Sequence, residues 1–190
     1  MKLRPDLFKK MLPLPVTVIT TIDDSGAINA APYSCVMPVL RPLDLITIAS
    51  ALPRHTLYNI RQTGEFVINV IGRPGFKDCM YTAKNFPQGV NELEEAGLET
   101  LPSSMIRPPR IKYALGWIEA IFVEEILRDR YSLVIGKVLC AETNDDYIED
   151  EKLLELPAIM QMPSFRTAGD DIICSAEEIT RLFLPPDALK

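Results

Sequence analysis

The sequence contains a single histidine, His55, among its 190 residues. This excludes an HExxH zinc site and any metal site that takes two histidines from one chain. The cysteines form no CxxC pair, which excludes a zinc ribbon and a thioredoxin motif. We therefore expect reduced thiols, mostly buried as small apolar side chains, at Cys35, Cys79, Cys140 and Cys174.

Positive charge is also scarce, since 20 basic residues stand against 26 acidic residues, a formal net charge of −6. Proteins that bind nucleic acids need a basic surface, so this composition argues against a nucleic-acid partner. No apolar run reaches the roughly 18 residues of a membrane-spanning helix. A signal peptide is disfavoured because Pro13 and Pro15 interrupt the apolar segment near the N-terminus. We expect a cytoplasmic protein that does not bind membranes.

The chain has the size and apolar content of one folded domain. Hydrophobic residues make up 47% of it, and we predict a single domain over residues 1–190. The nine glycines form neither a GxGxxG nor a GxxxxGK[ST] pattern, so the usual dinucleotide and P-loop fingerprints are excluded. Sixteen prolines favour a fold of short strands and loops.

Alternating and β-branched segments predict a mainly β fold. We expect strands over 16–22, 27–31, 34–40, 45–49, 65–71, 114–123 and 131–140. The first two form a hairpin through a turn at 23–26, and the apolar strand 45–49 is expected to be buried on both faces. Gly136 predicts a bulge or a close backbone approach. A closed or nearly closed barrel is favoured, because it removes exposed strand edges.

The few predicted helices are short. One covers 57–62, with Thr56 at its start and Gly64 at its end. A weak helix covers 90–96 and ends at Gly97. A third begins at a capping-box pattern over 175–178 and ends at the prolines 185–186.

The segment 50–59 carries the first candidate binding site, because it leaves a strand and enters a helix. A helix N-terminus offers unpaired backbone amides and a positive dipole end, which together attract anions. Ser50 and Thr56 add hydroxyl groups, Arg54 adds a guanidinium suited to phosphate, and protonated His55 would add a donor. The alternative is that Thr56 is only an N-cap and Arg54 only a solvated surface charge.

The second candidate lies at 29–34. Its small residues allow a planar ligand to approach the backbone, while Asn29 and Ser34 match the polar edge of a ring. The alternative is a plain edge strand that contains Pro32. Cys35 follows directly, and a redox role is conceivable there, although we expect a buried small residue.

In this order the segments resemble the flavin reductase-like FMN-binding split-barrel family, which includes flavoredoxin. The matching segments are 18–21, 29–34, 54–56 with 59–60, 63–69, 86–90, 96–98, 108–111 and 134–138, and the resemblance spans about residues 10 to 140. No single segment is specific to this family, but the ordered set of segments is. The tail after Ala158 matches the family weakly.

The resemblance implies a six-stranded Greek-key split barrel, a homodimer and non-covalent FMN near the subunit interface. By position, Ser50, Arg54 and Thr56 would hold the phosphate, with His55 beside them and Asn59 supporting the loop. The ring would be lined, largely through backbone contacts, by Asn29, Ala31, Pro32 and Ser34.

The implied function is an FMN-dependent oxidoreductase that passes electrons from NAD(P)H to a flavin, a ferric complex or a protein. Two residues depart from the family pattern: His55 replaces an acidic residue, and Tyr131 stands where many reductases have a histidine near the nicotinamide. Tyr131 leaves open an alternative, a non-catalytic FMN electron-transfer protein that takes electrons from a protein donor. A barrel that has lost flavin is a third reading, against which Asn29, Ser34 and Thr56 speak.

Overall fold

Fifteen strands and three α-helices are seen in the part of the chain that the computed structural model describes, residues 4–150, 152–161, 164–167, 172–175 and 178. The helices are α1 (His55–Thr63), α2 (Phe76–Tyr81) and α3 (Glu92–Glu95), with 3-10 turns at Pro5–Met11 and Asp145–Tyr147. The strands are β1 (Leu14–Pro15), β2 (Thr17–Ile22), β3 (Ile28–Tyr33), β4 (Val36–Pro38), β5 (Leu45–Ala51), β6 (Glu65–Val70), β7 (Thr100–Leu101), β8 (Arg110–Ile111), β9 (Gly116–Leu127), β10 (Tyr131–Thr143), β11 (Ile148–Glu149), β12 (Lys152–Leu153), β13 (Ala158–Gln161), β14 (Ser164–Thr167) and β15 (Ile172–Ser175).

Seven strands form one antiparallel sheet in the order β3-β2-β6-β9-β10-β5-β4. Its two edge strands, β3 and β4, are separated in the chain by two residues only. Three chain steps span about 11 Å at most, so the sheet must curl until its edges meet. The predicted split barrel is therefore confirmed. The short strand β4 makes it seven-stranded, where the resemblance implied six strands.

The strand expected over 34–40 is shorter in the structure, where β4 covers only Val36–Pro38. The opening between β3 and β4 lies at the start of the expected strand. The chain uses Ser34 and Cys35 to pass from one edge of the sheet to the other. Cys35 is still tied to the far edge, because its carbonyl oxygen accepts a hydrogen bond of 2.8 Å from the Ala49 amide.

Strand β2 is buried on both faces. Strand β5, for which burial on both faces was predicted, is not. Every residue of β2 is buried, because Ile19 packs on the side of α1 while Val18 packs on the side of α2 and α3. In β5 buried residues alternate with half-exposed ones. The prediction for 45–49 was wrong since an apolar run does not show whether a second layer covers the strand.

Predictions from local sequence were more accurate at turns and close contacts than for the burial of β5. Asp23 Oδ1 accepts bonds from the amides of Ser25 and Ala27, both at 2.9 Å, which fixes the predicted hairpin turn. A register shift occurs beside Gly136, and a side chain there would collide with the Phe66 ring. Both expectations for Gly136 are confirmed.

The predicted helices differ from the observed ones mainly at their ends. Helix α1 begins two residues earlier than expected and ends at Gly64, whose φ of 72° is the left-handed conformation of a C-cap. The weak helix is a single turn, α3. Ser175 and Glu178 exchange the two hydrogen bonds of a capping box, 2.7 and 3.1 Å long, while the rest of that predicted helix lies outside the described residues. Among the described residues, no helix is long and apolar enough to cross a membrane.

Candidate functional site

A cleft of about 930 Å³ opens where the edge strand β3, the end of β5 and the start of α1 meet. The segment 82–88 and α3 form its remaining wall. Its size lies in the range of small-molecule and cofactor sites. Eight of the nine predicted cofactor-binding residues line this cleft, namely Asn29, Ala31, Pro32, Ser34, Ser50, Arg54, His55 and Thr56.

The start of α1 forms one end of the cleft. Arg54 is its N-cap, in extended conformation with φ −147° and ψ 138°, and in the described part of the chain no side chain caps the helix. The first-turn amides are therefore available to a ligand. The Arg54 side chain is exposed, and the structure gives it no carboxylate partner among the described residues. This end of the cleft is suited to an anion.

Thr56 is not the N-cap, so the part of the alternative that concerns Thr56 was wrong. It lies in the first turn of α1 and is only 2% exposed, because this turn packs against β3. Its Oγ1 lies 3.2 Å from the side-chain amide of Asn29. The two predicted segments are thus joined directly, through one side chain from each.

Ser50, on β5, reaches the cleft through a contact that the sequence did not predict. Its hydroxyl lies 2.9 Å from the hydroxyl of Tyr33, the last residue of β3. Ser50 is almost fully buried, and this bond crosses the barrel opening between the β3 and β5 sides. Tyr33 lies within the predicted segment 29–34, but no role was predicted for it.

Strand β3 offers the cleft an open edge. Among the described strands it pairs only with β2, and the amide of Ala30 points the other way, to Glu92 Oε2 at 2.9 Å. Because backbone groups alternate in direction along a strand, the Pro32 carbonyl and the Ser34 amide also point away from β2. Pro32 interrupts no ladder there, which explains why a proline is tolerated.

The opposite wall holds two charged residues that sequence reasoning missed, Lys84 and Glu92. Lys84 lies over the Tyr81 ring, 3.7 Å from its centroid. Glu92, the first residue of α3, is 5% exposed. Burial raises the pKa of the Glu92 carboxyl, while the Ala30 amide and the nearby His55 oppose that rise. In the sequence, only the family-like segment 86–90 indicated that this wall lies near the site. It did not indicate Lys84 or Glu92.

Two predicted residues lie beside the cleft and not in its lining. Asn59 is buried in α1, and its Nδ2 donates to Thr21 Oγ1 over 3.1 Å, which ties the helix to β2. Tyr131 is 48% exposed and begins β10 opposite Ala51, a lining residue. Asn59 therefore supports the site from behind, and Tyr131 borders it.

The thiols are unpaired, as expected, but their burial differs from the prediction. Cys79 and Cys174 are buried, and burial raises the pKa of Cys79 to about 12, so this thiol is unreactive. Cys35 is exposed and lines the cleft, because it lies in the short link across the barrel opening. The expectation that Cys35 is a buried small residue was wrong.

Comparisons with known proteins agree with this fold. Residues 9–165 match the family described as flavin reductase like domain. An uncharacterized protein of Methanothermobacter thermautotrophicus is 45% identical over 147 residues, which cover 75% of this chain and 69% of the relative.

Two solved structures are similar over most of their length. The 2-nitrobenzoate 2-nitroreductase of Pseudomonas fluorescens is 25% identical with a TM-score of 0.77, covering 90% of this chain and 93% of that one. The flavoredoxin of Desulfovibrio vulgaris is 16% identical with a TM-score of 0.78, covering 89% and 94%. With a family match across most of its length, the chain belongs to the flavin reductase-like family.

Proposed function

We propose that this protein binds FMN in the cleft and is an oxidoreductase of the flavin reductase type. The observation that carries the proposal is that one cleft joins an uncapped helix N-terminus and a free guanidinium to the open edge of β3. The helix N-terminus and the guanidinium suit a phosphate, and the strand edge suits the polar side of a planar ring. Membership of the flavin reductase-like family supports the same assignment.

The side chains present fit this cofactor chemically. Arg54 and Lys84 supply positive charge without carboxylate partners among the described residues, and Ser50 and Thr56 supply hydroxyl groups to the cleft lining. Ala31 and Pro32 leave the wall of β3 free of bulk, so that an aromatic ring can approach the backbone. We assign the phosphate to the α1 end, and the ring to β3.

When bound, the flavin supplies the redox chemistry, accepting and releasing electrons. The protein's own residues hold and shield it. The Ser34 amide and the Pro32 carbonyl offer one donor and one acceptor to a ring edge, while Asn29 links that wall to the phosphate end through Thr56. The cleft is partly open to solvent, which leaves room for an electron donor or acceptor.

We propose NAD(P)H as the electron donor, and a flavin, a ferric complex or a protein as the acceptor. The second candidate is an FMN electron-transfer protein without a nicotinamide site of its own. Tyr131 favours this candidate, because it borders the cleft where many family members have a histidine. A histidine can be cationic near neutral pH and steady negative charge, whereas a tyrosine stays neutral there.

If Tyr131 limits nicotinamide use, NADH and NADPH should reduce the bound flavin slowly compared with dithionite. Tyr131→His should then raise the nicotinamide-dependent rate without tightening FMN binding. Anaerobic stopped-flow absorbance measures both rates, and Tyr147→His is a control variant, because Tyr147 does not line the cleft. Rapid reduction of the unmodified protein that Tyr131→His does not change would show that this residue has no such role.

We further propose a homodimer, as the family resemblance implies. In support, the sheet edge and turn that follow the cleft expose large apolar side chains, Met37, Leu40 and Leu43, which are 62%, 80% and 78% exposed. We assign these side chains to the proposed dimer interface, since contiguous exposed apolar surface is typical of interaction sites. Light scattering at micromolar concentration should give twice the 21.3 kDa chain mass. A protein that binds FMN tightly at the monomer mass would contradict the dimer.

A further inference from the structure

The turn between β9 and β10 lies beside the start of α1 and exposes two arginines. The Arg128 amide donates to the Tyr131 carbonyl oxygen over 2.9 Å, which closes the turn. The Leu52 amide donates to the Arg130 carbonyl oxygen over 3.1 Å, so the turn is fixed to the loop that leads into α1. Arg128 and Arg130 are exposed, and neither has a carboxylate partner among the described residues.

A second contact holds the outer side of α1 next to the same hairpin. Arg61, in α1, donates from Nε to Glu125 Oε2 of β9 over 2.9 Å. The Ser132 hydroxyl of β10 donates to the same carboxylate. The exposed side of α1 and the turn therefore lie side by side and form one surface. We call this surface the arginine face, and its members are Arg54, Tyr58, Leu127, Arg128, Arg130 and Tyr131.

The arginine face has the composition of a protein-binding surface. Its leucine and its two tyrosines are half-exposed, and arginine and aromatic residues are enriched in protein–protein interfaces. Exposed carboxylates nearby in the chain are Asp129, within the turn, and Glu124, on β9. The three arginines, with His55 and Lys84 in the adjoining cleft, outnumber them. In a chain with a net charge of −6, positive charge is thus concentrated here.

We infer that the arginine face docks a small acidic electron-carrier protein, and this inference rests on the proposed binding of FMN in the cleft. Arg54 and Tyr58 also line the cleft, so a protein on this face lies directly beside it. The partner's reduced metal centre gives up one electron at each encounter, so two encounters, with two protons from water, reduce one bound flavin. Such encounters use small interfaces that charge complementarity steers.

A protein fits this face better than a small anion or a nucleic acid does. Arg128 and Arg130 lie at an exposed turn outside the cleft lining, whereas small molecules bind in concave sites. The negative charge of the whole chain disfavours a nucleic acid.

The proposed dimer interface leaves the arginine face free. Leu43 of that interface precedes the start of β5, whereas Ala51, at the end of β5, pairs with Tyr131. The two surfaces therefore lie at opposite ends of β5, about 20 Å apart along the strand. A dimer can form while the arginine face of each chain remains available to a partner.

Calorimetric titration with a small acidic iron–sulfur ferredoxin, with and without bound FMN, tests the docking. We expect association at about 0.01 M ionic strength that is lost near 0.15 M, because the Debye length falls from about 30 to about 8 Å. Arg130→Glu should weaken the association about tenfold or more at low salt and leave FMN affinity unchanged. Arg4→Glu, at an exposed arginine outside this face, is the matched control and should change neither.

Stopped-flow absorbance tests whether docking serves electron transfer. Reduced ferredoxin should reduce the bound flavin at low salt, and Arg130→Glu should slow this reduction by the factor found for binding. A basic cytochrome c should not associate with the protein. Docking that is not followed by flavin reduction would overturn the electron-carrier assignment.

Other results would also overturn the inference. These are no salt-sensitive association with the acidic ferredoxin, or equal effects of Arg130→Glu and Arg4→Glu. A smaller mass of Arg130→Glu in light scattering would make the face a contact between copies of this chain, and tighter binding of duplex DNA than of ferredoxin would make it a nucleic-acid surface. Ferredoxin docking by a protein that binds no FMN would instead contradict the proposed function and leave the docking face standing.

Discussion

Replacing Arg54 by alanine is expected to weaken FMN binding about tenfold or more while leaving riboflavin binding unchanged. Arg54 is exposed at the start of α1, beside first-turn amides that no side chain caps. Charge-assisted hydrogen bonds contribute about 1.5–3 kcal/mol each, and about 1.4 kcal/mol corresponds to a tenfold change in affinity. Riboflavin lacks the phosphate, so it loses nothing. Fluorescence titration of both flavins measures the effect.

The fold should survive this change, because the Arg54 side chain is exposed. Arg4→Ala is the matched control, since Arg4 is an exposed arginine that pairs with Asp6 and does not line the cleft. Equal losses for FMN and riboflavin would mean that Arg54 shapes the cleft without contacting phosphate. No loss for either flavin would make it the solvated surface charge of the simpler alternative.

Glu119→Ala should cause the largest loss of stability, about 3–5 kcal/mol, because it removes the buried partner of a buried cation and the acceptor of two backbone amides. Glu119 lies on β9 and is fully buried. It accepts from Arg110 Nε over 2.6 Å and from the amides of Ser104 and Met105 over 2.8 and 2.7 Å. One carboxylate thus satisfies two backbone donors and a guanidinium that is itself 7% exposed.

Urea unfolding at neutral pH measures this loss, and Glu142→Ala is the control. Glu142 also pairs with Arg110, at 2.6 Å, but its side chain is 43% exposed, so water can replace it. We expect a clearly smaller loss from Glu142→Ala. A Glu119→Ala variant no less stable than Glu142→Ala would contradict this account of the loop over 103–110.

The barrel, and eight residues that line the cleft, could be predicted because their signals are local. The β-branched run of β2 with its turn at 23–26, and Gly64 after α1, each indicate structure within one short segment. The family resemblance then assigned order to segments that are individually weak. Residues that share one strand or one helix turn, such as Arg54 and Thr56, were placed at the cleft for this reason.

What the sequence did not reveal depends on contacts between distant segments. Glu92 is 62 residues from the Ala30 amide that it accepts from, and no periodicity connects them. Thr56 looked like a helix cap because the packing of α1 against β3 is not visible in the sequence. Cys35 is exposed because it lies in the link between the two sheet edges. This link follows from closure of the barrel, which strand propensity does not predict.

The central claim is that this cleft binds a flavin through its phosphate at the start of α1. Calorimetric titration of the purified protein with FMN and riboflavin, at the same pH and ionic strength, tests it most directly. We predict that FMN binds about tenfold or more tightly than riboflavin, with FAD weaker than FMN. Equal affinities for FMN and riboflavin, or no binding of either, would contradict the claim.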